Sequence, residues 1–347
     1  MAALALCGLA ASAGAETLRI ATYNADLSAP GPGLLLHDLR KAELPPQRAA
    51  VVAVIAALEA DVVLLTGMDF DLRGEALAAL EGWLAAAGQP YPYRLALRPN
   101  TGVPTGRDLD RNGRLGEARD AQGWGRFLGE GGMAVLSRLP IGPEIRDFSG
   151  FLWADLPGHL MPEDDPARDI QRLHSTGAYE VPIALPGGQT LRLLAFYASP
   201  PVFDGPEDRN GRRNHDEAAF WLRLLEGALE WPPPAGPFVI LGQTSLDPAD
   251  GEGRPKALRA LLAHPGLQDP RPRGSHGRVD PGQAGDAALD TALYDGLGGL
   301  RVEVILPSAD VTVRDAGVLW PLGSDPMAAT LSTASRHYPL WVDLALP

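Results

Sequence analysis

The chain has 347 residues, a net charge of −13 and a pI near 5.0, with 45% hydrophobic and 21% charged residues. This composition excludes a disordered or collagen-like chain, and the 40 glycines and 33 prolines, which follow no period, mark many ordered loops. An acidic surface disfavours binding to a nucleic-acid backbone, and no apolar run approaches the roughly 18 residues of a membrane span.

The first fifteen residues, MAALALCGLAASAGA, read as the apolar part of a secretory signal ending at Ala13-Gly14-Ala15, although no basic residues precede it. The expectation is a periplasmic or secreted protein with residues 16–347 as one domain. Cys7 is the only cysteine, so a mature chain has no disulfide and no thiolate chemistry.

Thr17 to Tyr23 predicts a strand with a polar stop at Asn24. Pro46 to Ala60 predicts a helix, with proline at its start and apolar residues at helical spacing. Val62 to Leu65 is a short apolar run of the buried-strand type. Gly74 to Ala87 predicts a second helix. Further strands are expected at Tyr93–Leu97, Met133–Ser137, Thr190–Tyr197, Phe238–Leu241, Val302–Leu306 and Leu340–Leu344. Helices are expected at His215–Leu229 and Lys256–Ala263. Some strands follow one another without a helix, which favours mixed sheets over a simple parallel one.

Seven segments together resemble the endonuclease/exonuclease/phosphatase superfamily of deoxyribonuclease I-like fold. They are RIATYNADL (19–27), DVVLLTGMDFD (61–71), GMAVLSRLPI (132–141), PPVFDGPEDRNGRRNHDE (200–217), FVILGQTSLDPADG (238–251), RVEVILPS (301–308) and ASRHYPLWVDL (334–344). Each is weak alone; their order and spacing over nearly the whole chain are specific. The resemblance implies an α/β four-layer sandwich, two mixed β-sheets face to face with helices outside and the site at one edge. It also implies metal-assisted phosphoester hydrolysis, in which a hard divalent ion held by carboxylates polarises the phosphoryl group.

The resemblance further implies a set of reactive positions, and this chain departs from most of them. Asn24 is retained at the end of the first strand. Thr66-Gly67 stands where the family has Gln-Glu, the Glu being the main metal ligand. Tyr197 replaces a His. Gly242-Gln243-Thr244-Ser245 replaces Gly-Asp-x-Asn, and Ser335-Arg336-His337 replaces Ser-Asp-His, whose Asp orients the His. Only Asn24 and His337 remain as catalytic remnants. Three acids around the ion have become Gly67, Gln243 and Arg336, a change from −3 to +1. Unit charges 4 Å apart interact by about 4 kcal/mol at an effective dielectric of 20. Arg336 therefore repels a divalent cation strongly, and His337 is expected to lack the carboxylate that would fix its tautomer.

The expectation is a degenerate phosphoesterase serving as a ligand-binding or scaffold protein, with no metal at the ancestral site. In the implied fold Asn24, Thr66, Tyr197, Gln243, Ser245, Arg336 and His337 share one cleft. That set suits an anionic or phosphorylated small molecule, Arg336 supplying a fixed charge. A rival is an active magnesium- or manganese-dependent phosphodiesterase or phosphatase with ligands relocated to Asp69, Asp71, Asp247 or Asp250. Another is a calcium-stabilised exported structural protein.

The calcium reading rests on Asp108, Asp110 and Asn112, which with Gly113 match the first half of a calcium loop, D-x-D-x-N-G. Arg119 holds the twelfth position, and Glu117 and Asp120 lie out of register. The stretch 204–217 suggests a helix start capped by Asn214 with Glu217 three residues on. His37, His159, His174, His264 and His276 have no ligand spacing and read as surface or loop residues.

Overall fold

A computed structural model describes residues 17–345; the expected signal segment and Cys7 lie outside them. In chain order the strands and helices are β1 (Thr17–Leu27), α1 (Leu34–Leu39), α2 (Pro46–Leu58), β2 (Val62–Met68), α3 (Glu75–Ala86), β3 (Tyr93–Ala96), β4 (Gly132–Ser137), β5 (Arg146–Asp147), β6 (Gly177–Ala184), β7 (Thr190–Tyr197), α4 (Arg209–Leu225), β8 (Phe238–Gln243), α5 (Lys256–Leu262), β9 (Ala292–Tyr294), β10 (Gly298–Leu300), β11 (Glu303–Pro307), β12 (Thr312–Val318), α6 (Pro326–Ala334) and β13 (Leu340–Ala345). Among the described residues no helix is long and apolar enough to cross a membrane.

One sheet runs β12-β13-β1-β2-β4-β3, the other β11-β8-β7-β6-β5, and β9 with β10 forms a separate hairpin. β1 with β2 and β7 with β8 pair in parallel; the other neighbours are antiparallel. β2, VVLLTGM, is buried along its whole length, as a central strand covered on both faces must be. The larger apolar core fills the space between the sheets and under α2 and α3. A second core lies on the outer face of the second sheet, where Phe148 and Phe196 pack against Phe220 and Trp221 of α4 at tilted and edge-to-face angles. The expected sandwich of two mixed sheets with helices outside is what the chain forms.

Two expectations need correction. β1 does not stop at Asn24 but continues to Leu27 through a register shift. α4 starts at Arg209, so Asn214 and Glu217 sit inside the helix and cap nothing. Their side chains turn inward instead. Glu217 Oε1 accepts from the backbone and hydroxyl of Ser175, and Oε2 from those of Ser199. Asn214 donates to the Ser199 and Thr244 carbonyls, Arg213 to the Leu173, Gln122 and Arg172 carbonyls, and Asp216 accepts from Trp153 and Leu160. A buried polar group is tolerated only when partnered, and each of these is. His174 and His276 lie in loops, as read from the sequence, but are buried and not at the surface. Burial in the α4 core holds the His174 imidazole neutral, pushing its pKa down to about 3.

Candidate functional site

The two parallel pairs bring the ends of β1, β2, β7 and β8 to one edge. Both β1 and β2 are irregular there. Register shifts separate Asn24 from Leu27 and Thr66 from Met68, Asp26 takes φ +48° and Gly67 φ +69°. Bulges re-aim side chains where they fall. A Cβ added at Gly67 would lie 3.2 Å from Asn24 Cγ and closer still to its Oδ1. The Asn24 amide has thus filled the volume into which a side chain at position 67 would project. In the second sheet Gly242 lets β8 approach β7 so closely that any Cβ would overlap the Phe196 carbonyl, which fixes the position of Gln243.

The side chains gathered here are bonded to one another. Asn24 Nδ2 donates to Gln243 Oε1 at 2.6 Å, and Thr66 Oγ1 donates to the same oxygen at 3.3 Å. Gln243 Nε2 donates to Ser245 Oγ at 3.2 Å, and Ser245 Oγ donates to the Ala198 carbonyl at 2.8 Å. Asn24 Oδ1 accepts from the Asp26 backbone. Tyr197 lies beside Asn24, and burial above all pushes its hydroxyl up to about 12.

Glu303 stands opposite Gln243 in the β8–β11 ladder. Its Oε1 accepts from His337 Nδ1 at 2.5 Å, and its Oε2 from Thr291 Oγ1. His337 therefore does have a carboxylate partner, contrary to the sequence expectation. It comes from β11, not from the residue before the histidine. A carboxylate only accepts, so His337 Nδ1 carries the proton of this bond. His337 is 6% exposed. The Tyr294 ring stands edge-on to it at 5.9 Å, and Arg336, an exposed residue, carries its guanidinium carbon 5.7 Å from the same ring. Burial raises the Tyr294 hydroxyl above its ordinary range.

Asn24, Thr66, Gln243 and Ser245 thus form one bonded network, with Tyr197 and His337 adjoining it and Arg336 at the rim. Tyr294, Thr291 and Glu303 belong to the same group and were missed. The signal for Glu303 was present: an acid in an otherwise apolar strand, VEVIL, needs a buried partner.

These residues do not fit a hard divalent cation. Gln243 Oε1 accepts from Asn24 and Thr66, Ser245 Oγ from Gln243 and Asn24 Oδ1 from the Asp26 backbone, and the carboxylate of Glu303 is taken by His337 and Thr291. The four acids considered as replacements are engaged elsewhere. Asp69 accepts from Ser28, Ala29 and Gly131, Asp71 from the first turn of α3, Asp247 from Ala249, Asp250 and Arg301, and Asp250 from Ala284 and Gly285. Two small cavities of about 10 Å³ each, room for one water, lie under α3 and between the sheets, and neither touches Asn24, Gln243 or His337.

Among the described residues, the group of three or more acids or histidines that could hold an ion is Asp108, Asp110 and Asp120, with oxygens within 4.8 Å of one another. Asn112 does not complete it; its amide donates to Asp110 and Glu117. Asp120, out of register in sequence, is brought in by the short helical turn at Ala118–Asp120. Asp108 accepts from Asn112 and Gly113, Asp110 from Arg119, and Asp120 from Leu109 and Glu117.

Two sheets packed face to face with their reactive edge at the ends of parallel strand pairs define a deoxyribonuclease I-like protein. The model of the endonuclease/exonuclease/phosphatase family matches residues 21–337, and the chain belongs to that family. Similar solved structures include an endonuclease/exonuclease/phosphatase from Beutenbergia cavernae (17% identity, 95% of this chain and 72% of that one, TM-score 0.56). Others are the human nocturnin catalytic domain with a bound sulfate anion (13%, 95% and 95%, TM-score 0.52) and a mannosyl-6-phosphatase from Bacteroides thetaiotaomicron (13%, 95% and 100%, TM-score 0.51). At these identities the likeness is one of fold. No curated protein matches the sequence.

Proposed function

We propose that this protein is a catalytically silent member of its family, exported from the cytoplasm, that works as a binding or scaffold protein and not as a phosphoesterase. One observation carries the reading: Asn24 occupies the space of the missing side chain at position 67 and is tied to Gln243, so the metal position is plugged by neutral groups. The His337–Glu303 pair orients an imidazole, but without a cation to polarise the phosphoryl group it supplies only part of the chemistry. Arg336 with His337 is the feature that suits a phosphate-bearing ligand at the rim, and the sulfate in the nocturnin domain is consistent with anion binding on this fold.

The test is calorimetric titration with manganese, magnesium and inorganic phosphate, alongside turnover of a generic phosphodiester. Absence of divalent-ion heat and of turnover is expected. Phosphate heat should disappear in Arg336→Ala. Stoichiometric manganese binding with hydrolysis would establish the rival, an active enzyme with relocated ligands.

A further inference from the structure

Strand polarity sets which loops share a face. β1, β2, β7 and β8 end at the cleft edge, and β4, β6, β11 and β13 begin there. Nine of the ten exposed large hydrophobic side chains among the described residues stand on loops or a helix start at this edge; Tyr93, at the start of β3, stands at the other. The longer loops on this edge account for part of that count. They do not account for Phe203. This residue is 87% exposed and holds φ +74°, a left-handed conformation that bulky side chains avoid.

The loop is built to hold it so. Asn210 Nδ2 donates to the Val202 carbonyl on one side of Phe203, and the Asn210 backbone donates to Asp204 Oδ2 on the other. Ser199, at the loop's root, is fixed by Glu217. Strain and full exposure of an aromatic tip, both maintained by dedicated hydrogen bonds, point to a surface that receives it. Trp124 and Leu128 stand exposed on a second loop, Leu297 at the tip of the β9–β10 hairpin and Leu72 on the loop before α3.

These tips are carried by separate loops; Arg73 follows Leu72 and Arg126 lies in sequence between Trp124 and Leu128, each arginine paired with an acid, Glu75 and Glu130, yet exposed. A protein interface needs a contiguous apolar centre. A lipid–water interface accepts isolated aromatic and aliphatic tips at headgroup depth, with guanidinium groups at the phosphates. The net charge of −13 opposes an anionic leaflet. We propose that the cleft edge docks on a zwitterionic phospholipid surface, Phe203, Trp124 and Leu128 entering the interface and leaving the cleft facing the headgroups. The proposal holds whether the cleft is silent or active, so its failure leaves the preceding reading untouched.

Co-sedimentation of the full chain with phosphatidylcholine vesicles, and with equimolar phosphatidylcholine and phosphatidylglycerol, tests it. Partition onto phosphatidylcholine is expected, weaker on the anionic mixture. Phe203→Ser and Trp124→Ser should each lower the partition coefficient by roughly tenfold, the order expected for withdrawing one large apolar side chain. Tyr93→Ser, on the opposite edge, should leave it unchanged, and unchanged melting temperatures confirm that all variants fold. The proposal is overturned by wild-type protein that stays with neither vesicle, by equal loss in Tyr93→Ser, by binding confined to the anionic mixture, or by a soluble partner whose binding alone depends on Phe203.

Discussion

Restoring the family's acid at position 67 should not restore a metal site. In Gly67→Glu the new residue must adopt φ +69°, which costs a non-glycine residue roughly 1–2 kcal/mol. Its Cβ must also displace Asn24, breaking the 2.6 Å bond to Gln243, a further loss of about 0.5–1.5 kcal/mol. The sum is roughly 1.5–3.5 kcal/mol. With an unfolding entropy of about 2.1 cal/mol/K per residue over 347 residues, that lowers the melting temperature by about 2–5 °C. Gly67→Ala should lose most of the same amount, because conformation and clash arise at the Cβ. Differential scanning calorimetry gives the melting temperature and manganese titration the affinity. If Gly67→Glu melts like the wild type and binds manganese tightly, the plugged-site argument is wrong. The double change Gly67→Glu with Arg336→Asp shifts the local charge by −3 and separates electrostatics from steric closure; weak binding in the double variant and none in the single one is expected.

Two further outcomes follow from titratable groups. Burial first of all, with Asp247, Asp250 and Asp280 nearby, pushes the Asp290 carboxyl up to about 6 against the opposing bond from Gln283. The folded state therefore holds a proton between about pH 4 and 6 that the unfolded chain has released, so this group adds stability as pH falls through that window and withdraws it as pH rises. Urea midpoints from pH 4.5 to 7.5 should show that slope in the wild type and lose it in Asp290→Asn; identical profiles would refute it. Calcium is expected to bind Asp108, Asp110 and Asp120 only weakly, because Arg119 and backbone donors already engage them. At ten times the dissociation constant the stabilisation is about 1.4 kcal/mol, read as a small rise in melting temperature that EDTA reverses and Asp110→Ala removes; no calcium response assigns the loop to its own hydrogen bonds.

Much of the architecture was legible because the apolar runs Val62–Leu65, Thr190–Tyr197 and Phe238–Leu241 have the length and bounds of buried strands, and the observed β2, β7 and β8 contain them. β6 escaped notice because Pro182 and Glu180 interrupt its apolar pattern, the glutamate being accommodated by Arg146 and Arg192. β12 escaped because it is a largely exposed edge strand. At the site, the grouping of Asn24, Thr66 and Gln243 could be placed from strand ends alone. The Glu303–His337 bond could not, since it joins residues 34 apart, one on β11 and the other in the segment between α6 and β13. α4 misled because Arg213, Asp216 and Glu217 are buried beside its apolar residues, where an amphipathic helix ordinarily keeps charge on the solvent side.

That buried polar cluster has a mechanical consequence. Segments beginning at Gln122, Trp153, Ser175, Ser199 and Thr244 come from five separate stretches of chain, yet all are anchored to side chains of the single helix α4. The rim of the molecule is therefore braced like spokes on one hub, and displacement of any spoke is resisted by the rest.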